Sequence, residues 1–207
     1  IMVSAILKPK LAPEQLPRVT MLGALAVADT LRPLMGDALA LKWPNDLLWQ
    51  GRKLAGLLVD LRGEAAGPCT AVLGLGLNVH VSELEADDID QPWIDLRAIL
   101  DQTIDRNRLA ALLIHHLDRM FREFEARGLA AFRAEWDASH CYADRRVRLL
   151  QSGKVFEGTV RGIDDNDVAP CRDQHFRAGE TVGADRRRRA DAQAALGVFG
   201  GVGMGFR

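Results

Sequence analysis

The chain begins with an apolar run, Met2-Val3-Ser4-Ala5-Ile6-Leu7, that reads as a strand entered directly at Ile1. Residues 11–17, with two prolines, form a helix entry, and Val19, Leu22, Leu25 and Ala26 then recur at helical spacing. They predict a helix to about Arg32, stopped by Pro33. Short strands over 39–43 and 47–49 bracket Pro44-Asn45-Asp46, whose proline and Asx side chains favour a turn. Leu54, Leu57, Leu58, Val59 and Leu61 predict a strand over 53–61. A loop over 63–68 and a strand over 69–79 follow, the latter holding Gly74 and Gly76. This succession implies a mainly antiparallel sheet flanked by helices.

After Asp105, Leu109, Leu112, Leu113, His116, Leu117, Met120, Phe121 and Phe124 fall on one stripe, predicting a long helix that Gly128 stops. A short helix over 130–136 leads to a junction near Ser139. Residues 147–150 and 155–160 then read as a hairpin of a small β module. From Gly183 the periodicity is lost, four arginines occupy 186–189, and the end is rich in glycine. The expected division is therefore an α/β (α+β) domain over 1–141, a small β domain over 142–182 and a tail over 183–207.

Composition narrows the picture. The 207 residues are 48% hydrophobic and 27% charged, which suits one soluble core of ordinary size with a satellite. Lys and Arg number 27 against 28 Asp and Glu, so no global field draws the chain to nucleic acid or an anionic membrane. Cys69, Cys141 and Cys171 show no CxxC spacing, disfavouring a disulfide framework or structural zinc. No apolar run reaches the roughly 18 residues of a membrane span, and no leader pattern precedes the first strand. A reducing, cytoplasmic setting is expected, with an upstream portion missing before Ile1.

Three segments concentrate polar groups among apolar strands. Lys42-Trp43-Pro44-Asn45-Asp46 places a cation, an amide and a carboxylate in one turn, although local sequence alone leaves an ordinary Asx turn with a solvated lysine equally open. Lys53, followed by Leu54-Ala55-Gly56, can present an ammonium to an anionic ligand beside backbone left open by glycine. Gly74-Leu75-Gly76-Leu77-Asn78 adds two positions without side chains and one amide. Each alone is weak, and the last is not the dinucleotide fingerprint.

In this order and spacing, KWPND, RKLAG and GLGLN resemble the biotin–protein ligase family. The resemblance runs through Trp93, the long helix after Asp105 and the module containing Gly158 to Asp164, covering about residues 1–165. It implies a class II synthetase-like sheet domain followed by an SH3-like β module. The implied activity has two steps: biotin and ATP form biotinoyl-5′-AMP, and a lysine of a biotin carboxyl carrier protein then takes the biotin. It further implies that Lys53 is catalytic, bridging carboxylate and phosphoryl oxygens. Lys53, Gly56, Leu57 and Gly74 would line the biotin site, while Lys42, Asn45, Asp46, Asn78 and Trp93 would hold the nucleotide. Asp46 is the candidate ligand for Mg²⁺.

The family's glycine- and arginine-rich loop precedes the first strand of this chain and is not in the sequence. Nor is an amino-terminal helix-turn-helix, so no DNA-binding domain is expected. A remnant or binding module on the same scaffold is therefore the alternative to the enzyme. No membrane partner is expected, and a homodimer is left open. Residues 174–182 faintly resemble a last strand of the small module. His115 and His116 are neighbours on a helix and point about 100° apart, so they do not chelate one metal together. The arginine run reads as a solvated tail segment.

Overall fold

The computed structural model describes residues 1–7, 17–43, 45–62, 70–82, 91–151 and 154–163. Residues 11–16 of the expected helix entry, Pro44, the expected 63–68 loop with Cys69 after it, residues 152–153, the 174–182 segment expected as a last strand and the arginine-bearing segment lie outside the described residues.

Five strands, β1 (Met2–Leu7), β2 (Leu39–Lys42), β3 (Asp46–Trp49), β4 (Arg52–Arg62) and β5 (Thr70–Leu77), form one sheet in the order β1-β5-β4-β3-β2. Every neighbouring pair is antiparallel. β2 to β5 form a meander, and α1 (Pro17–Met35) carries the chain from β1 at one edge to β2 at the other. The β3–β4 connection is a two-residue turn with φ of 48° at Gln50 and 78° at Gly51, the left-handed pair that matches strand twist.

The two faces of the sheet differ in kind. Ala71, Leu73, Leu75 and Leu77 of β5 are buried with Leu57 of β4 and most of α1. At the centre of this layer a Cβ built on Gly23 would lie 2.7 Å from Leu57 Cδ2 and 3.0 Å from Leu73 Cδ2. Glycine thus lets helix and sheet approach closely. On the other face, Met2, Ile6 and Leu58 are exposed among the described residues, with glycines between them.

α1 extends past Pro33 to Met35, a correction to the expected stop. Pro33 sits in the last turn, where a missing N–H costs at most one helical hydrogen bond, and Leu31 and Met35 remain buried on either side.

Asp95 caps the short α2 (Leu96–Leu100), accepting from Ala98 N and, across the preceding segment, from Val81 N, both at 2.8 Å. α3 (Arg106–Arg127) starts at Asp105, whose carboxylate accepts from the backbone N–H of Asn107 and Arg108, and ends at Gly128 with φ +71°. Its buried seam is Leu109, Leu113, Leu117, Met120 and Phe124. Leu112, expected on the stripe, is 42% exposed. α3 packs on α1, so only a narrow line of positions is covered and its flanks face solvent. Arg119 on α3 pairs with Asp29 on α1 at 2.6 Å.

After a 3₁₀ turn over Leu129–Phe132, α4 (Arg133–Ser139) buries Trp136 completely. Arg32 holds it to α1, donating to Glu135 at 3.3 Å and to Ser139 Oγ at 2.9 Å. β6 (Arg146–Gln151) and β7 (Lys154–Thr159) form the expected hairpin, tied to the body where Ile163 N donates to Asp137 Oδ1 at 3.2 Å. The rest of the expected SH3-like module, to residue 182, falls outside the described residues. No helix among the described residues is long and apolar enough to cross a membrane.

Candidate functional site

Strand register assembles the predicted residues across the open face. Lys42 pairs with Asp46, Asp46 with Gly56, Gly56 with Gly76, and Gly76 with Met2, so one row crosses all five strands. The next row places Leu58 opposite Gly74 and Gly74 opposite Ser4. The floor between the polar edge and the exposed Met2, Ile6 and Leu58 is therefore backbone without side chains. Gly74 and Gly76 sit in open surroundings, an added Cβ lying 3.7 Å from Leu58 O and 3.9 Å from Gly56 O respectively.

A strict strand alternation would put Lys53 and Gly56, three positions apart, on opposite faces. The register shifts between Leu47 and Leu48, with Leu47 opposite Ala55 and Leu48 opposite Lys53. Leu54 and Ala55 are consecutive and both buried, and this bulge turns Lys53 onto the face of Gly56. Lys53 Nζ lies 2.8 Å from Asp46 Oδ1. A Cβ on Gly56 would be 3.1 Å from Lys53 Cε and 3.3 Å from Asp46 Oδ1, so the ion pair lies directly over that glycine.

Asn45 behaves as one more rung of the sheet. Its carbonyl accepts from Leu57 N at 2.9 Å and its Nδ2 donates to Leu57 O at 2.7 Å, fixing the turn that delivers Asp46. Lys42 is 5% exposed, and burial lowers its pKa below the usual lysine range, partly opposed by Asp46. Beside it, Cys141 N donates to Leu41 O at 2.8 Å, and burial pushes the Cys141 thiol up to about 11. His140, bridged to Leu41, is neutralised by burial, its pKa lowered to about 4.

Trp93 is half-buried and bridges to Lys53, whose N–H donates to Pro92 O and whose carbonyl accepts from Ile94 N, both at 2.9 Å. Asn78 closes this junction, with Nδ2 donating to Lys53 O at 3.4 Å and to Ile94 O at 3.2 Å. Lys53, Gly56, Gly74, Asp46 and Lys42 thus share the open face or its polar edge, with Asn45, Asn78 and Trp93 at the margins. Leu57 does not share that face. Its side chain is 2% exposed and packs under α1, leaving only its backbone near the site.

The residues that sequence reasoning missed are positional. Asp95, which ties 81 to the start of α2, and the His140–Cys141 segment beside β2 carry no motif. The bulge has a faint signal, the two apolar residues Leu54 and Ala55 where alternation calls for one. For a metal, the donors do not make a cage. Among the described residues no group of three or more His, Cys, Asp and Glu side chains is placed to hold one, and Asp46 already contacts Lys53.

The family model described as the biotin/lipoate A/B protein ligase family matches residues 1–78. The bifunctional ligase/repressor BirA of Salmonella typhimurium is 40% identical over 140 residues, which are 68% of this chain and 43% of that protein. The biotin–[acetyl-CoA-carboxylase] ligase of Mycobacterium tuberculosis is 36% identical over 157 residues, 71% of this chain and 53% of that protein. The chain spans about half the length of these curated relatives. In fold it is similar to the biotin protein ligase of Aquifex aeolicus. The apo form gives a TM-score of 0.69 at 24% identity over 80% of this chain and 71% of that one. The form in complex with biotin and ATP gives 0.64 at 22% identity, over 79% and 67%. With the ordered motifs gathered on one sheet face and these relatives alike in sequence and fold, the chain belongs to the biotin–protein ligase family.

Proposed function

We propose that this chain carries the adenylation site of an ATP-dependent biotin–protein ligase. The observation that carries the reading is the cation of Lys53 standing over Gly56 at one end of a glycine-floored sheet face that also exposes Met2, Ile6 and Leu58. A flat fused-ring ligand with an apolar chain and a terminal carboxylate has the matching shape and polarity. Gly56 and Gly74 supply the floor, and Leu57 contributes backbone alone.

In the proposed first step a biotin carboxylate oxygen attacks the α-phosphorus of ATP, the α–β bridging P–O bond breaks, and pyrophosphate leaves. Two anions approach, and the Lys53 ammonium offsets their repulsion in a partly dry site. Lys42, Asn45, Asp46, Asn78 and Trp93 surround the nucleotide. Magnesium enters with the ATP phosphates as part of the substrate, and Asp46 is the carboxylate proposed to meet it. In the second step the amine of a carrier-protein lysine attacks the acyl carbon, AMP departs and the new amide nitrogen loses its proton. The proposed acceptor is a biotin carboxyl carrier domain, and the proposed setting is the cytoplasm.

Mixing the full-length protein with biotin, MgATP and an apo carrier domain tests this reading. Biotin appearing on the carrier, dependent on ATP, is expected. Calorimetric binding of biotin without any transfer would instead favour a binding module on the same scaffold.

A further inference from the structure

Asn78 spends both side-chain N–H groups inside the protein. Nδ2 reaches the carbonyls of Lys53 and Ile94, Asn78 N donates to Leu54 O at 2.9 Å, and Leu96 N donates to Asn78 O at 3.0 Å. Four segments thereby meet at one residue: the bulge of β4, the end of β5, the 92–94 stretch and the start of α2. From this side the Lys53 N–H is held on Pro92 O and its carbonyl is shared by Ile94 N and Asn78 Nδ2. A bulge leaves its residues with fewer ladder bonds than a regular strand, so outside donors decide its shape. Here that shape decides which face Lys53 occupies.

We infer that Asn78 is a positioning residue for Lys53: its amide locks the β4 bulge and thereby holds the lysine ammonium over Gly56 against Asp46. This deepens the proposed adenylation role and rests on it, because it concerns the same cation. It also separates two tasks within one side chain, since with Nδ2 committed to the protein only Oδ1 remains for a nucleotide.

The test replaces Asn78 by Ala and by Asp in the full-length protein, the first deleting the donors and the second exchanging them for an acceptor that repels the two carbonyls. Acylation of individual lysines by acetic anhydride at one pH is followed by mass spectrometry. Lys53 is expected to label at least about fivefold faster in both variants while buried Lys42 keeps its rate, which separates local release from global unfolding. In the adenylation assay kcat falls about tenfold or more. Unaltered Lys53 labelling overturns the inference, as does kcat within about twofold of an active parent. If the parent has no adenylation activity, the proposed function fails, but the labelling comparison still decides whether Asn78 places Lys53. Should both variants fail to fold, proton exchange of the Asn78 side-chain amide in the unmodified protein decides. Slowed exchange is expected, and the rate of a free amide overturns the inference.

Discussion

Lys53 Nζ and Asp46 Oδ1 lie 2.8 Å apart directly over Gly56, on the sheet face opposite the one that packs against α1. The pair exists because a bulge turns Lys53 to the side of Asp46 and because Gly56, opposite Asp46 in register, has no side chain to fill the space. Cation, carboxylate and open floor are one construction.

Gly56→Ala tests that construction without touching either charge. Its methyl group would stand 3.1 Å from Lys53 Cε and 3.3 Å from Asp46 Oδ1, and the lysine must shift by a few tenths of an ångström or more. Biotin-dependent pyrophosphate release is expected to fall about tenfold or more, since small misplacement of a catalytic group is costly. The melting temperature should stay within a few degrees, roughly the effect of 1 kcal/mol or less. Steady-state kinetics and calorimetry check the two halves.

Leu57 separates floor from core. Buried under Gly23, its truncation to Ala is expected to destabilise the fold by about 2–5 kcal/mol in urea unfolding while leaving the biotin KM near the parent value. A raised KM with unchanged stability would return its side chain to the ligand site.

His140 gives the fold a pH dependence of defined sign. Buried and lowered to about 4, it is neutral in the native state where the unfolded chain, titrating near 6.5, still takes up a proton. Its contribution is therefore fully present above pH 6.5 and is lost as pH falls through 4, amounting to about 3 kcal/mol by linkage. His140→Phe should flatten that part of the stability profile, measured by urea midpoints from pH 7 to 4.

Cys141 should be a slow nucleophile. With its thiol pushed up to about 11 from 9, its thiolate fraction at pH 8 is about a hundredfold below that of an unperturbed cysteine. Iodoacetamide alkylation followed by peptide mass mapping should show that slow rate in the native protein and recovery in urea.

Much of this was legible in the chain. The 3.6-residue stripe and the glycine after it located α3, and the apolar runs separated by turn chemistry gave the meander. The order of the three motifs pointed to one site. What the sequence did not carry is which face each residue occupies. Leu57 and Leu58 are adjacent apolar residues, and only the register shows that the first supports α1 and the second is exposed. The bulge at Leu54 left only the faint signal of two successive apolar residues, because the shift is held by bonds from residues 78 and 92–94, distant in the chain. Pro33 was misread as a stop because tertiary burial of Leu31 and Met35 offsets the missing bond at the end of a helix.

The central claim is that the Lys53 cation over Gly56 drives adenylation of biotin. Its most direct test is biotin-dependent exchange of labelled pyrophosphate into ATP, run on the full-length protein and on Lys53→Ala and Lys53→Arg. Exchange by the parent, its loss by about a hundredfold or more in Lys53→Ala, and no rescue by the planar guanidinium of Lys53→Arg are the predicted results. Exchange at the parent rate in Lys53→Ala would contradict the claim.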